Sequence, residues 1–415
     1  MTAAPASDIK TKPRLAERLL PWTTVILLAG HISGAMACLY EHGQMPVKPR
    51  DFTLGMVAVN LLLILLNRPS FKPAVLGLLV IPTLRLFDSA MLKRYINYGL
   101  GDHTTAVMVL ANVWLVTVVA VLTLATESWQ KVALRAAIAV ILLDSGSVLY
   151  EAMGKASYSQ INGRFAGFLT QPNDAIIVLC LMLGIVFTLN KNFWGNVVII
   201  AVGAVAVGLT LSRSGMLVFA AMVFVWVLAN LRAHFGKIIL IAGASVPAIA
   251  VGVAMLTQMA TSRNFGTDTN AKERIEAIFG GNTDKMESGE RMKDLRDAWE
   301  GVTRSPVFGH GTGCASSHWQ PHNQWVAIWL DIGVGGVVLF GGTLLFLTAR
   351  CAMAKGQGIF AIMPLWMFTM FSQNLVEMAG YWFCAGVAAS LVTSGRFRFA
   401  LRSVPPVHHP APLPS

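Results

Sequence analysis

The sequence predicts an all-α, polytopic integral membrane protein with about twelve transmembrane helices and one large external loop. Hydrophobic residues make up 55% of the 415 residues and charged residues only 13%, whereas soluble domains carry roughly 25% charged residues. The mean hydropathy is +0.60. These values exclude a disordered, collagen-like or disulfide-stabilised secreted chain, and they argue against a nucleic-acid partner despite the net charge of +11.

Apolar runs of membrane-spanning length supply the predicted helices, because about 20 helical residues cross a hydrocarbon core of about 30 Å. Twelve such runs lie near residues 19–40, 52–67, 73–91, 104–125, 132–149, 174–190, 194–211, 214–231, 238–258, 322–349, 357–373 and 379–395. We therefore expect nine transmembrane helices within residues 1–258, a loop at 259–321, three more helices within 322–395, and a disordered tail at 396–415.

The distribution of Lys and Arg predicts the orientation of these helices. Placing both termini and the even-numbered connections on one face collects half of the 32 lysines and arginines there, with only three acidic residues. Cytoplasmic loops carry such an excess, so the termini are predicted to be cytoplasmic and the long loop external. The basic face also predicts contact with anionic membrane lipids.

The external loop, residues 259–321, is predicted to contain short helices. One lies around Lys272–Phe279 and ends at two glycines. A second begins at the capping residue Ser288 and places apolar residues three or four positions apart until Pro306 stops it, namely Met292, Leu295, Trp299 and Val302. The glycine-rich turn that follows contains His310 and is of a kind that can approach a phosphate through backbone amides.

The tenth run opens with His322-Asn323 and carries glycines at positions 333, 335 and 336. If the run is one continuous helix, Gly333 and Gly336 return close to the azimuth of His322, where small residues admit a neighbouring helix. Such packing would hold an interfacial imidazole in place. An imidazole that only bonds to lipid or backbone is an equally good interpretation at this point.

Arginines at the predicted membrane boundary form the second unusual feature. Arg213 lies between two helices, Arg164 lies in another external loop, and Arg291 starts the loop helix. Arg85 lies inside a run with Asp88 one turn away, where an internal ion pair would explain it. Each one alone is explained by snorkelling or structural pairing, but several together suit a diphosphate-bearing lipid, because a guanidinium offers paired donors to phosphate oxygens.

The order of these motifs resembles the bacterial O-antigen ligase superfamily, which also contains O-antigen polymerases and protein O-oligosaccharyltransferases. The motifs are Ser212-Arg213-Ser214-Gly215, then Arg291 and Leu295 in the long loop, then His322-Asn323 followed by Gly333 and Gly336. The twelve runs, the cytoplasmic termini and the loop between runs nine and ten extend the similarity over most of the chain.

This resemblance implies a metal-independent, GT-C-type membrane glycosyltransferase with one periplasmic active site and no cofactor. Its donor would be O-antigen linked to undecaprenyl diphosphate, and its acceptor a sugar hydroxyl of the lipid A–core oligosaccharide. His322 would be the general base, and Arg213 and Arg291 would bind the diphosphate. Further substrate-binding candidates are Arg164, Arg85, Asn323 and His310, while Gly333 and Gly336 would be structural. We expect no metal site.

Several alternatives stay open at this stage. An O-antigen polymerase would use a similar donor and extend the glycan, and a protein O-oligosaccharyltransferase would modify Ser or Thr. His310 and His318 compete with His322 for the catalytic role. A twelve-span transporter would use the intramembrane acids Asp144 and Asp331, for which we expect pairing inside the bundle. The concentration of polar groups around one external loop favours an enzyme.

Overall fold

The computed structural model describes residues 15–67, 73–92, 103–124, 126, 129–161, 163–261, 288–354 and 358–391. The loop helix predicted around residues 272–279 and the tail predicted at 396–415 lie outside these ranges. Across the described residues the secondary structure is helical, without strands. The prediction of an all-α polytopic membrane protein is confirmed.

Fifteen α-helices follow one another along the described ranges. Their bounds are α1 (Leu15–Ile32), α2 (Ala35–Glu41), α3 (Pro49–Asn67), α4 (Pro73–Leu76), α5 (Val80–Ala90), α6 (His103–Thr123), α7 (Trp129–Ala152), α8 (Pro172–Leu189), α9 (Phe193–Thr210), α10 (Arg213–Thr261), α11 (Ser288–Arg304), α12 (Gln324–Ile332), α13 (Val334–Met353), α14 (Ile359–Thr369) and α15 (Ala379–Ser390). Short 3-10 helices precede α5, α8 and α15, and a π-helix, Ala315–Trp319, precedes α12.

Each predicted apolar run is helical, but the runs are not all single spans. Within the described ranges, seven helices are long and apolar enough to cross a membrane, or eight if α1 and α2, which meet at a bend of 59°, form one span. The other runs are shorter or broken. Runs eight and nine both fall in α10, where His234 leaves the helical conformation at φ −135°. The count of twelve spans therefore stays a prediction.

The tenth run differs most from its prediction. It forms two helices, α12 and α13, because Gly333 adopts φ +79° between them. A side chain at Gly333 would meet the carbonyl oxygen of Val307, and the N–H of Val334 donates to the carbonyl of Pro306 at 3.0 Å. The glycine is thus required for a close approach of the preceding loop to the helix break.

Helix α8 lies at the centre of the bundle. Most of its side chains are buried against α7, α9, α14 and α15, so its first turn is held rigidly by its neighbours. Helix α11 packs at the periphery through a small separate core with α12 and the π-helix, consisting of Ala298, Val302, Ala315, Val326, Ala327 and Leu330. Its stripe residues Leu295 and Val302 face this core, while Met292 and Trp299 remain 60% and 50% exposed.

Candidate active site

His322 lies in a tight turn before α12. The turn contains two non-glycine residues in the left-handed region, Gln320 at φ +40° and His322 at φ +49°. The backbone N–H of His322 donates to Gln373 Oε1 at 2.8 Å. Asn323 caps α12, because its Oδ1 accepts from the N–H groups of Trp325 and Val326 at 2.9 and 3.2 Å. The backbone conformation of the turn and the cap formed by Asn323 together fix the position of the His322 backbone, from which the imidazole projects.

The prediction that glycines form a stripe beneath this imidazole is therefore wrong. The prediction assumed one helix from position 322, whereas α12 begins at Gln324 and ends before Gly333. Gly336 packs within the helix pair instead, since a side chain there would lie 2.8 Å from Ile332 Cβ. Gly333 and Gly336 thus shape the break between α12 and α13, and the turn with Gln373 positions His322.

His322 borders a polar cavity of about 270 Å³. Three segments that are distant in sequence form it: the start of α8, the turn before α12, and the turn after α14. The residues that line it are Gln171, Asn173, Asp174, Ile177, Gln320, His322, Phe371, Ser372, Gln373 and Asn374. Most of them offer amide, hydroxyl or carboxyl groups, so the cavity is suited to a ligand rich in hydrogen-bonding groups.

Helix α11 also approaches His322. Asp294 Oδ2 lies 4.0 Å from His322 Nε2, with both side chains more than one-third exposed. Arg291 is one turn earlier on the same helix, and its side chain is also exposed. Residues three apart share a helix face, so Arg291 lies beside the group that faces His322. The role predicted for Arg291, binding the diphosphate, stays a prediction.

A hydrogen-bond network connects the cavity wall to the start of α10. Asn173 Oδ1 accepts from Arg164 Nη2 at 3.1 Å and from Ser212 Oγ at 2.9 Å. Arg164 is buried and also donates from Nε to the carbonyl of Thr210 at 3.0 Å. Arg213 follows Ser212 directly and is half-buried at the first position of α10. Arg164 and Arg213 therefore lie on chain segments joined to the cavity through Asn173.

Glu151 anchors the loop that carries Arg164. Its Oε1 accepts from the N–H groups of Tyr158 and Ser159 at 2.7 and 2.5 Å, and its Oε2 accepts from those of Ala166 and Gly167, both at 2.9 Å. The side chain is buried. One carboxylate thus binds both ends of the loop. Sequence reasoning missed this residue, although an acid just after an apolar run signals a buried partner.

Arg85 belongs to a separate buried cluster. Its guanidinium donates to Asp331 Oδ2 at 3.0 Å and to Glu377 Oε1 at 2.6 Å. Asp88 accepts from the N–H and the hydroxyl of Thr312 at 2.8 and 3.0 Å. The predicted pairing of Asp331 inside the bundle is confirmed. Because the cluster joins α5, α12 and the loop before the π-helix, and Arg85 does not line the cavity, a substrate-binding role for Arg85 stays a prediction.

The competing histidines lie elsewhere in the loop. His310 Nε2 is 2.8 Å from the carbonyl oxygen of Gly301, and its ring lies 5.0 Å from that of Trp319. His318 is exposed, with its ring edge against Trp319. Neither lines the cavity. His310 thus supports the loop structure, and its predicted role in binding substrate is untested.

The cavity contains residues that sequence reasoning did not select, above all Asp174, Gln373 and Asn374. Asn374 Nδ2 donates to Asp174 Oδ1 at 3.2 Å, and Ser372 Oγ donates to Asn374 Oδ1 at 2.7 Å. These polar residues cluster at the ends of two apolar runs. Their position at a run boundary was a usable signal, but their meeting depends on the tertiary fold.

No cysteine is among the described residues that line this cavity. Across the part of the chain that the structure describes, no group of three or more His, Cys, Asp or Glu is arranged to hold a metal ion. All five cysteines are free and buried. In the loop before α12, burial and the nearby Asp331 carboxylate raise the pKa of the Cys314 thiol to about 12.

Asp144 is buried in α7, and its Oδ1 has no hydrogen-bond partner among the described residues, so its predicted pairing stays a prediction.

Part of the chain is similar to a known protein family. Residues 197–341 match the family model described as O-antigen ligase. No curated protein sequence matches the chain. The family match confirms the resemblance seen in the sequence, and its segment contains Arg213, Arg291 and His322. Members of this family are membrane enzymes of the glycosyltransferase kind that act on lipid-linked polysaccharides.

Proposed function

We propose that this protein is an O-antigen ligase of lipopolysaccharide biosynthesis. It transfers O-antigen polysaccharide from undecaprenyl diphosphate to a sugar hydroxyl of the lipid A–core oligosaccharide. The acceptor oxygen forms a bond to the anomeric carbon of the donor, and the bond from that carbon to the diphosphate oxygen breaks. Direct displacement of this kind inverts the anomeric configuration and releases undecaprenyl diphosphate.

One observation carries the proposal. The segment that matches the O-antigen ligase family holds His322 in a constrained turn at the edge of a polar cavity, and α11 approaches it through Asp294. A histidine in this position can remove the proton of an acceptor hydroxyl as the hydroxyl attacks. An unperturbed imidazole pKa of about 6.5 suits a general base near neutral pH.

Arg213 and Arg291 are proposed to bind the diphosphate and stabilise the negative charge that grows as it leaves. Arg213 lies at the start of α10 beside Ser212, which bonds to the cavity-wall residue Asn173. Arg291 lies one turn from Asp294 on α11. Two guanidinium groups supply the positive charge that a divalent cation supplies in many transferases, so the proposed reaction needs no metal.

The proposed location is the bacterial inner membrane, with the active site on the periplasmic face and both termini in the cytoplasm. The Lys and Arg bias of the connections between the apolar runs supports this orientation. The loop at 259–321, which contains α11, and the turn with His322 then lie on the periplasmic side. The donor and the acceptor both reach that face as membrane-anchored lipids.

A reconstituted reaction tests the proposal. Purified protein is incubated with undecaprenyl-diphosphate-linked glycan, lipid A–core and a chelator, and the products are resolved on a gel. We expect glycan joined to lipid A–core. If the donor glycan instead grows longer while the lipid A–core stays unmodified, the protein is a polymerase. If only an added periplasmic protein becomes glycosylated, it is a protein O-oligosaccharyltransferase. Loss of activity with chelator would contradict metal independence.

A further inference from the structure

The cavity beside His322 has a distinctive chemical character. Its walls present four amide side chains besides Asn374, namely those of Gln171, Asn173, Gln320 and Gln373, together with the carboxyl group of Asp174 and the hydroxyl of Ser372. The aromatic ring of Phe371 lies on the same wall. Amide and carboxyl groups bind hydroxyl pairs, and an aromatic ring packs against the apolar face of a sugar.

The same walls are poorly suited to a diphosphate. Among the described residues, the ten that line the cavity include no lysine or arginine. A diphosphate placed there would lose its water shell without a lysine or arginine in the lining to replace it, and it would lie near the carboxyl group of Asp174. The arginines proposed for the donor are outside the lining, at the start of α10 and on the exposed face of α11.

We propose that this cavity is the subsite for the acceptor sugar, with Asp174 as its principal hydroxyl-binding residue. The proposal rests on the function proposed above and assigns the acceptor sugar to the lining of the cavity and the diphosphate to Arg213 and Arg291, which are not part of that lining. Asp174 suits this role because Asn374 Nδ2 binds its Oδ1 at 3.2 Å and holds the carboxyl group in place.

This assignment of the two substrates also explains why His322 lies at the edge of the cavity. His322 lines the same cavity as Asp174, so a hydroxyl bound by Asp174 and the neighbouring amides is held close to the base. The attacking oxygen then reaches the anomeric carbon of the donor directly, and the imidazole beside it accepts its proton. Sugars that lack a hydroxyl pair matching the cavity lose these bonds and leave buried polar groups unpaired, which is a strong source of selectivity.

Steady-state kinetics with Asp174→Asn tests the subsite. The substitution keeps the size of the side chain and an oxygen for Asn374 to bind, but it removes the charge-assisted bond to the sugar. We expect the KM for lipid A–core to rise about tenfold, while the KM for the lipid-linked donor stays unchanged. Phe371→Leu, which removes the aromatic face, should shift the same constant in the same direction.

The matched control is Asp51→Asn. Asp51 is also in the first turn of a membrane-spanning helix, α3, but it is about half exposed and pairs with Arg50. This variant should leave both KM values unchanged. Melting temperatures equal to that of the wild type would show that each variant is folded.

Inorganic pyrophosphate tests the opposite assignment, in which the diphosphate of the donor binds in the cavity. As an inhibitor it should compete with the donor, and its inhibition constant should stay the same in Asp174→Asn and rise in Arg213→Ala. The subsite proposal is wrong if Asp174→Asn raises the donor KM or strengthens inhibition by pyrophosphate while the acceptor KM stays constant. Failure of the wild-type protein to join glycan to lipid A–core would instead refute the proposed function itself.

Discussion

Replacement of Glu151 by Gln should release the loop that carries Arg164. The carboxylate accepts four backbone N–H groups, two on each oxygen. A glutamine side chain has one oxygen and one NH₂ group, so in either orientation it keeps one pair of N–H groups and presents hydrogens to the other pair. The substitution therefore changes charge and hydrogen bonding with almost no change in volume.

The magnitude follows from the two N–H groups that lose their acceptor. A buried donor left unsatisfied costs about 1–3 kcal/mol, so the local structure should be destabilised by about 2–6 kcal/mol. The retained pair also loses the extra strength of a charged acceptor. Since 1.4 kcal/mol corresponds to a factor of about ten, the lower limit predicts amide exchange in the loop at least about 30-fold faster.

Hydrogen–deuterium exchange followed by mass spectrometry measures this directly in peptides that cover residues 158–167. Faster exchange should be confined to this loop and its contacts, because the core helices do not depend on Glu151. Glu300→Gln is the control, since Glu300 is an exposed residue that pairs only at the surface with Arg304. Exchange in Glu151→Gln as slow as in the wild type would refute the reasoning.

Three further predictions concern the elements around the site. Gly333→Ala should lower the melting temperature, since φ +79° costs an L-residue about 1–3 kcal/mol and the new methyl group meets a backbone carbonyl; Gly335→Ala, which has open space, should not, and equal melting of both would contradict this. Arg85→Ala should cost about 3–5 kcal/mol by removing the guanidinium from two carboxylates, one 3% and one 21% exposed; an unchanged melting temperature in detergent would contradict it. Cys314 should react with maleimide far more slowly in the folded than in the denatured protein between pH 7 and 9, because a pKa raised to about 12 keeps the thiol protonated there; equal labelling rates would count against its burial.

Hydropathy predicted the helices well because it records where apolar residues are concentrated. It could not predict how the helices bend. The tenth run is apolar over most of its length and predicts one helix. The chain nevertheless turns at Gly333, because the loop at Val307 packs closely against it, and a contact between distant segments cannot be read from hydropathy. Likewise, the local spacing predicts Asp88 as a partner for Arg85, but it gives no sign of Asp331 and Glu377, which bind the guanidinium from 246 and 292 residues away.

The candidate site could be predicted only in part, because some of its residues meet only when distant segments pack together. His322 and the arginines stood out individually, since a charged or titratable residue at a membrane boundary is unusual in itself. Asp174 and Asn374 did not stand out, although they are hydrogen-bonded across 200 residues. Their role depends on α8 and the turn after α14 meeting beside His322. Such a meeting is a property of the packed bundle, and single-sequence patterns do not contain it.

The central claim is that His322 acts as the general base of glycan transfer. Its most direct test is the kcat for joining lipid-linked glycan to lipid A–core in His322→Ala, measured beside His318→Ala at the same protein concentration. General-base catalysis contributes about 10²–10⁴-fold, so kcat should fall by that factor in His322→Ala and stay at the wild-type value in His318→Ala. A His322→Ala protein that is folded and retains the wild-type kcat would contradict the claim.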